Sequence, residues 1–443
     1  MQAIAEQKSI YLQDYEARSA QLDEPKWLAR LHRHGIERFE AQGFPGRTVE
    51  AWRKTDLTPV LREHFVPSGG PGQVDSGLIE KAGALGKAHR LVFVDGWLDP
   101  GLSELGNLPR GLTLAPLSEY GERLPAVIQD ALGAFIDTAS HPFAALNTAF
   151  FRDAIVVHAA RGATIEQPVV LVHLLTPGAD RRAVYPRAVI IAEEASQLRL
   201  VEQFIGADEP FVLNCPVAEI VARQGANVDY YKVQEEGAGS AHLGAVHAEA
   251  LRDATIHMHS FACGARLART DIYANLIGAG ADVTLNGLYL TNERQYCDHH
   301  TWVNHKAEHG TSRQLFKGVL QGRSETVFDG LVKVFEGAQK IDARQENRNL
   351  LLGKLALAHS NPRLEIHADD VKCSHGSTVG QLDDEALFYL NTRGIGFDDA
   401  QGLLTFAFAD EMLKPIRLDA LYEYERQALF QRLPGAEMVR EMS

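Results

Sequence analysis

Hydrophobic and polar positions change their period twice along the chain. In the first 65 residues, Trp27, Leu28, Leu31 and Phe39 fall on one helical stripe. Asp23, Glu24 and Pro25 supply the helix start, since the first turn has no use for the N–H that proline lacks. Gly43 and Pro45 close the segment. Val66 to Gly77, reading VPSGGPGQVDSG, predicts a linker. A short strand is expected at Leu91 to Val94, with the Asp95-Gly96 turn leading to a second. Leu117 to Phe151 predicts a further helical stretch, ending in FAALNTAFF.

From Asp153 to about Gly380 the helical period is lost. Short runs rich in Val, Ile, Leu and Tyr alternate with turns, as in Val169 to Leu175, Ala188 to Ala192, Val228 to Val233 and Val283 to Leu290. A small motif precedes several of them: Gly162-Ala163, Gly225-Ala226, Gly280-Ala281 and Gly337-Ala338, with looser copies at Glu194-Ala195-Ser196 and Gly264-Ala265. Glycine permits a tight corner, and the strand resumes on the next side. More than 200 residues in this texture, without crossover helices, disfavour a βαβ sheet. A β-solenoid of parallel rungs or a large sandwich remains, and the corner motif favours the solenoid. After Gly380 helices return, with Asp383 as an N-cap, Gly394 as a stop and a new helix from Asp398 or Asp399. The expected division is a helical domain over 1–87 with its linker near 66–77, a β core over 88–381 containing the helical segment at about 117–151, and a helical domain over 382–443.

Composition narrows the function classes. The 443 residues carry 44 Lys and Arg against 58 Asp and Glu, a net charge of −14, which argues against nucleic acid as a partner. The opening residues have no cationic stretch followed by an apolar run, and no apolar run reaches the roughly 20 residues that span a bilayer. The expectation is a cytoplasmic protein with no membrane partner. Cys215, Cys263, Cys297 and Cys373 lie far apart, so reduced thiols are expected.

Two clusters could carry chemistry. Asp298 to His305, reading DHHTWVNH, is dense enough in imidazole to suggest zinc or iron, but on a strand His299 and His300 would face opposite ways and only one could join His305. His257 and His259 would share a face, while His242 and His247 read as surface or turn residues. The other cluster is Leu364 to Gly380, LEIHADDVKCSHGSTVG, where Cys373 and His375 share one strand face with α-carbons about 7 Å apart. Two donors do not complete a metal shell, so further ligands must come from elsewhere or from another chain. Near the end, Leu418, Leu421, Tyr422, Leu429, Phe430 and Leu433 form a helical stripe that fits either the chain's own solenoid or another protein. Nucleotide and serine-hydrolase motifs are absent.

Pro362 to Ile395, PRLEIHADDVKCSHGSTVGQLDDEALFYLNTRGI, resembles the SufB/SufD family of iron–sulfur cluster assembly proteins. Further matches are GFPGRTVEAWRKTDL (Gly43 to Leu57), FVDGWL, FAALNTAF, YPRAVIIAE, DHHTWVNH, SRQLFKGVL and QENRNLLL, so the resemblance covers nearly the whole length. The ADDVKCSHG form resembles the SufD branch. The resemblance implies a mainly β fold: a right-handed parallel β-helix flanked by N- and C-terminal helical domains. It implies pairing with a SufB-like subunit through the β-helix, and docking of a SufC-like ABC ATPase on the C-terminal helices. That docking face would use Leu403, Leu404, Phe408, Leu418, Leu421 and Tyr422. His375, with Cys373 as the weaker donor, would hold metal transiently at the interface where a nascent Fe–S cluster forms. The chain itself would be a non-catalytic scaffold with no stably bound cofactor, flavin binding being left open. Whether the isolated chain is a monomer or a homodimer through the β-helix is left open. His367 departs from the aromatic residue common in the family. The competing expectation is a metal-dependent β-solenoid enzyme using His299, His300 and His305.

Overall fold

Alternate strands of the central region go to alternate sheets, which is the signature of a chain wound around an axis. The computed structural model describes residues 2–136, 138, 141–178, 181–208 and 211–435. One face stacks Ile155–Ala159, Arg187–Ala192, Val217–Ala222, Ser240–Ala250, Leu267–Leu276, Tyr296–His305, Glu325–Val334 and Leu357–Ile366. The other stacks Val169–Leu175, Gln197–Gly206, Asn227–Glu235, Thr255–Ala262, Asp282–Thr291, Thr311–Leu320, Ile341–Leu351 and Val371–Gly380. All of these pairings are parallel, giving a mainly β solenoid of about seven turns.

The corner motif has a backbone cause. Gly162, Gly225, Gly280 and Gly337 all take positive φ, and in the looser copies Ala195 and Ala265 do the same at 56° and 60°. A left-handed residue reverses the chain between faces, and glycine does so without the Cβ clash. Asp253, His309 and Lys340 serve as corners too, although nothing in their side chains announces it.

Strand alternation then sorts side chains into lumen and exterior. Inward residues of the early rungs, among them Val157, Leu171, Ile190, Leu200, Ile220 and Val228, form a continuous buried core. Burying each such side chain contributes about 1.5–3 kcal/mol. At the amino-terminal end, antiparallel strands Leu112–Pro116 and Trp97–Leu98 terminate the two ladders, and Leu105 and Leu108 pack against the lumen core.

The exterior of the first face is covered by the amino-terminal helices Gln2–Ser19 and Lys26–Gln42 and by Pro142–Phe150. Tyr11, Phe39, Phe44, Trp52, Phe143 and Phe150 join Val156, Val189 and Ile191 in one cluster. The stretch expected to be helical from Leu117 to Phe151 is broken into Leu117–Tyr120, Ala126–Gln129 and Pro142–Phe150, with Pro125, Gly133 and Pro142 punctuating it. Residues 137, 139 and 140 lie outside the described residues.

The segment expected as a linker is a pinned strap. Val66-Pro67 pairs with Arg182 and Ala183, Ser68 N–H donates to Ala183, and Gly72 N–H donates to Asp95 at 2.9 Å. Gly72 passes so close to Thr176 that a Cβ would collide with its hydroxyl. The strap delivers the chain to helix Ser76–Gly83, capped by Asp75, on the opposite face.

The exterior of that second face is covered by the carboxy-terminal helices Phe397–Asp410 and Asp419–Phe430, and helix Asp384–Thr392 packs on the first of them. Met412, Leu413, Leu421 and Leu429 are buried against Val233, Phe261, Leu288 and Val319 of the strands beneath. Polar contacts tie the same interface: His259 to Glu425 at 2.9 Å, Arg417 to Asp229 at 3.0 Å, and Lys317 and Arg348 to Glu411. Phe408, Leu418, Leu421 and Tyr422, expected on a docking face, pack instead on the chain's own solenoid. Leu403 and Leu404 are half-buried.

Candidate functional site: the open end of the solenoid

The last rung is made of Leu357–Ile366 on one face and Val371–Gly380 on the other. Each pairs with a strand on one side only, and among the described residues no further strand continues either ladder. Two ten-residue edges therefore present unpaired backbone donors and acceptors. Proteins usually blunt such edges, because they template pairing with another chain. Pro362 sits within one of them, where a missing N–H is tolerated. Apolar side chains frame the end: Leu355, Leu357, Ile366 and Val379 are 56%, 55%, 40% and 45% exposed. Leu364, Val371 and Cys373 are only half-covered by the rung beneath.

Cys373 and His375 lie on this terminal strand, two residues apart and on one face, as their spacing requires. The Cys373 thiol is half-buried, and burial raises its pKa, so it stays largely protonated near neutral pH. His375 is exposed and sits in register with Gln345 of the preceding rung. His367, at the corner, hydrogen-bonds Glu365 at 2.9 Å, and Lys333 reaches the same carboxylate at 2.6 Å. The arrangement offers one sulfur and one nitrogen donor at an unpaired edge. Among the described residues no group of three or more His, Cys, Asp or Glu is placed to hold a metal ion.

The histidine-rich strand is resolved differently. His299 and His305 point into the lumen, and His305 lies six residues further along, bonded to Ser312 at 2.9 Å. His300 points outward to Asp298 at 3.1 Å, within a group that includes Arg269 and Thr55. The three imidazoles expected at a metal centre are therefore not brought together. His242 and His247, read from sequence as surface or turn residues, are instead fully buried mid-strand. His242 contacts Glu236 and Lys232 at 2.6 Å each, and His247 stacks on Tyr273. Burial is the physical reason in each case: these strands are covered on both sides, so alternation gives no exposed position to fill.

A second surface escaped the sequence reading. Phe388, Tyr389 and Phe397 are 70%, 55% and 58% exposed on the carboxy-terminal helices. The signal was available, since Leu387 is buried and the two aromatics after it, turned about 100° and 200° around the helix, cannot share its face.

The model of the SUF system FeS cluster assembly SufBD core domain matches residues 174–408, and that of the SufBD protein N-terminal region matches residues 5–171. The iron–sulfur cluster assembly protein SufD of Escherichia coli is 31% identical, over 90% of this chain and 92% of its own length. The chain belongs to the SufBD family. A SufBD family iron–sulfur cluster assembly protein of Synechocystis is 30% identical over 87% of this chain, and the chloroplastic protein ABCI7 of Arabidopsis thaliana is 27% identical over the same share. Within the SufBD family the chain is SufD-like, an iron–sulfur cluster assembly protein. No described helix is long and apolar enough to cross a membrane.

Proposed function

We propose that this SufD-like chain is the subunit of a Suf assembly complex that pairs with a SufB-like solenoid through its open end and presents Cys373 and His375 to a cluster being built there. The observation that carries this reading is the conjunction of two unpaired edge strands with a thiol and an imidazole on one of them. A second solenoid adding its own terminal strands would satisfy the edges, as strand addition does generally, and could bring the donors that Cys373 and His375 lack. Iron and sulfide are cargo in this scheme. The chain catalyses nothing itself, and no resident cofactor is assigned to it.

Energy would come from a SufC-like ABC ATPase docked on the carboxy-terminal helices. The exposed Phe388, Tyr389 and Phe397 extend the docking face expected at Leu403 and Leu404, because aromatic side chains free of the solenoid are what a partner can cover. Helices Phe397–Asp410 and Asp419–Phe430 pack on the same sheet that ends in Val371–Gly380, and Asp384–Thr392 follows that strand directly, so a shift at the dock has a short path to the rim.

The test is native mass spectrometry of the complex gently purified from its own cells, paired with cluster assembly in a His375→Ala strain. Expected are masses fitting one SufB-like and two ATPase-like subunits beside this chain, and lost assembly with the complex intact. Full assembly by His375→Ala overturns the role of that residue. A lone chain or a homodimer overturns the partnership.

A further inference from the structure

The lumen changes character halfway along. Inward positions of the later rungs hold Lys232, His242, Thr270, His299, Thr301, Gln314, Gln345, Asn347 and Asn349 where Val, Ile and Leu would be ordinary. Some of their polar atoms find partners across the lumen. Thr301 donates to Gln314 at 2.8 Å, Tyr289 hydroxyl donates to Asn349 at 2.7 Å, and Asn347 donates to Tyr289 at 2.9 Å. Others find none: Ser260 Oγ, His299 Nε2, Gln314 Nε2, and both Oε1 and Nε2 of Gln345 are buried and unpartnered. Their residues are between 0% and 4% exposed.

Two of these orphans are neighbours along one column, and Ser260 lies in register with Lys232 further in. Gln314, Gln345 and His375 occupy successive registers of one sheet. A Cβ on Gly330 of the opposite sheet would collide with Gln345 Nε2, so the Gln345 amide spans the lumen, and glycine leaves the room for it. An unsatisfied buried polar atom costs about 1–3 kcal/mol. Five in one lumen would consume a large part of the roughly 5–15 kcal/mol that holds a native protein together. Donors and acceptors alternate without a net charge at Ser260, Gln314 and Gln345, which suits water and not an ion. Spacing agrees: rungs lie about 4.8 Å apart, and one water joining two polar atoms spans up to about 5.6 Å with bonds of about 2.8 Å.

We propose that the polar half of the lumen holds a file of water molecules that opens at His375 and runs inward past Gln345, Gln314 and His299 to the buried Lys232–His242–Glu236 group, forming a proton path between the rim and that group. Mixed water and imidazole contacts of this kind pass protons by exchange of hydrogen bonds, with no net movement of heavier atoms. The proposal concerns the interior of this chain and stands whether or not the rim receives a cluster.

Gln345→Met in the full chain decides the hydration by the sign of one number. If water fills the file, the methionine removes its partners and lowers Tm. If the lumen is dry, the same change removes two unpartnered atoms and raises Tm, overturning the proposal. Should Gln345→Met fail to fold, Gln314→Met gives the same two-way reading one rung inward. A crystal structure resolving ordered water is expected to place molecules against Gln345 and Gln314, and a dry lumen there overturns the file. For the proton path, saturation transfer from water to the His242 ring N–H is expected in the wild-type protein, slowed severalfold in Gln345→Met. No transfer, or transfer unchanged by both substitutions, overturns it.

Discussion

His299 and His305 show how burial alone sets a residue's titration. Burial holds the His305 imidazole down at about 4, and burial together with nearby Lys232 holds His299 at about 3. In the unfolded chain both protonate near 6.5. Between those values the unfolded state binds more protons than the folded one. Their stabilising contribution is therefore complete above pH 6.5 and is lost as pH falls towards the folded values. At pH 5 each withdraws about 2 kcal/mol, from 1.5 pH units at about 1.4 kcal/mol each. His305→Asn is expected to flatten the decline of unfolding free energy between pH 6.5 and pH 5, measured by denaturant titration at several pH values. An unchanged slope would count against a neutral His305. Arg187 depends on a buried partner. It is fully buried, pairs with Glu219 at 2.6 Å and also reaches Asn147 and Thr148 of helix Pro142–Phe150. Arg187→Met strands a buried carboxylate whose pKa burial already raises, and should cost about 3–5 kcal/mol in chemical denaturation.

At the scale of elements, the corners are where the sequence is most open to correction by substitution. Ala195 is exposed and held at φ 56°, a conformation that costs an L-residue roughly 1–2 kcal/mol. Ala195→Gly should raise stability by about 1 kcal/mol once the added freedom of the unfolded chain is deducted, read as a higher denaturation midpoint. Gly162 and Gly225 made the solenoid legible in the sequence because a repeated left-handed turn demands a repeated residue type. Asp253, His309 and Lys340 turn the same corner unannounced, since any residue can be forced there when the ladders on both sides fix the backbone. Cys373 and His375 were legible as a pair, because strand alternation fixes their common face. Their place on the terminal rung was not, for nothing local marks a strand as the last. His242 and His247 misled for a related reason: periodicity says which residues share a face but not whether that face is covered. The strap at Val66 to Gly72 looked like a linker because glycine and proline signal irregular backbone, and irregular backbone can be pinned as firmly as a strand.

For the whole molecule, the asymmetry of the two ends is the governing fact. The amino-terminal end is closed by antiparallel strands, whereas the other stops at full-length parallel edges. Val379→Lys places a charge on that edge at a side chain already 45% exposed. It should leave the isolated chain's unfolding free energy within about 0.5 kcal/mol. Association with a solenoid partner, followed by analytical ultracentrifugation, should fall sharply. An undiminished complex would mean that the edge is not the interface.

The stacking of near-equivalent rungs also constrains what descent can do to this architecture. A rung gained or lost in the middle of the stack leaves every local pairing intact, so the fold would accept it. Yet each such event would carry Cys373 and His375 about 4.8 Å along the axis relative to the closed amino-terminal end. A lineage that must keep those two places at a fixed separation is thus held to a constant number of rungs, while loops at the corners stay free to vary in length. The solenoid serves as a measuring rod, and its length is the inherited quantity.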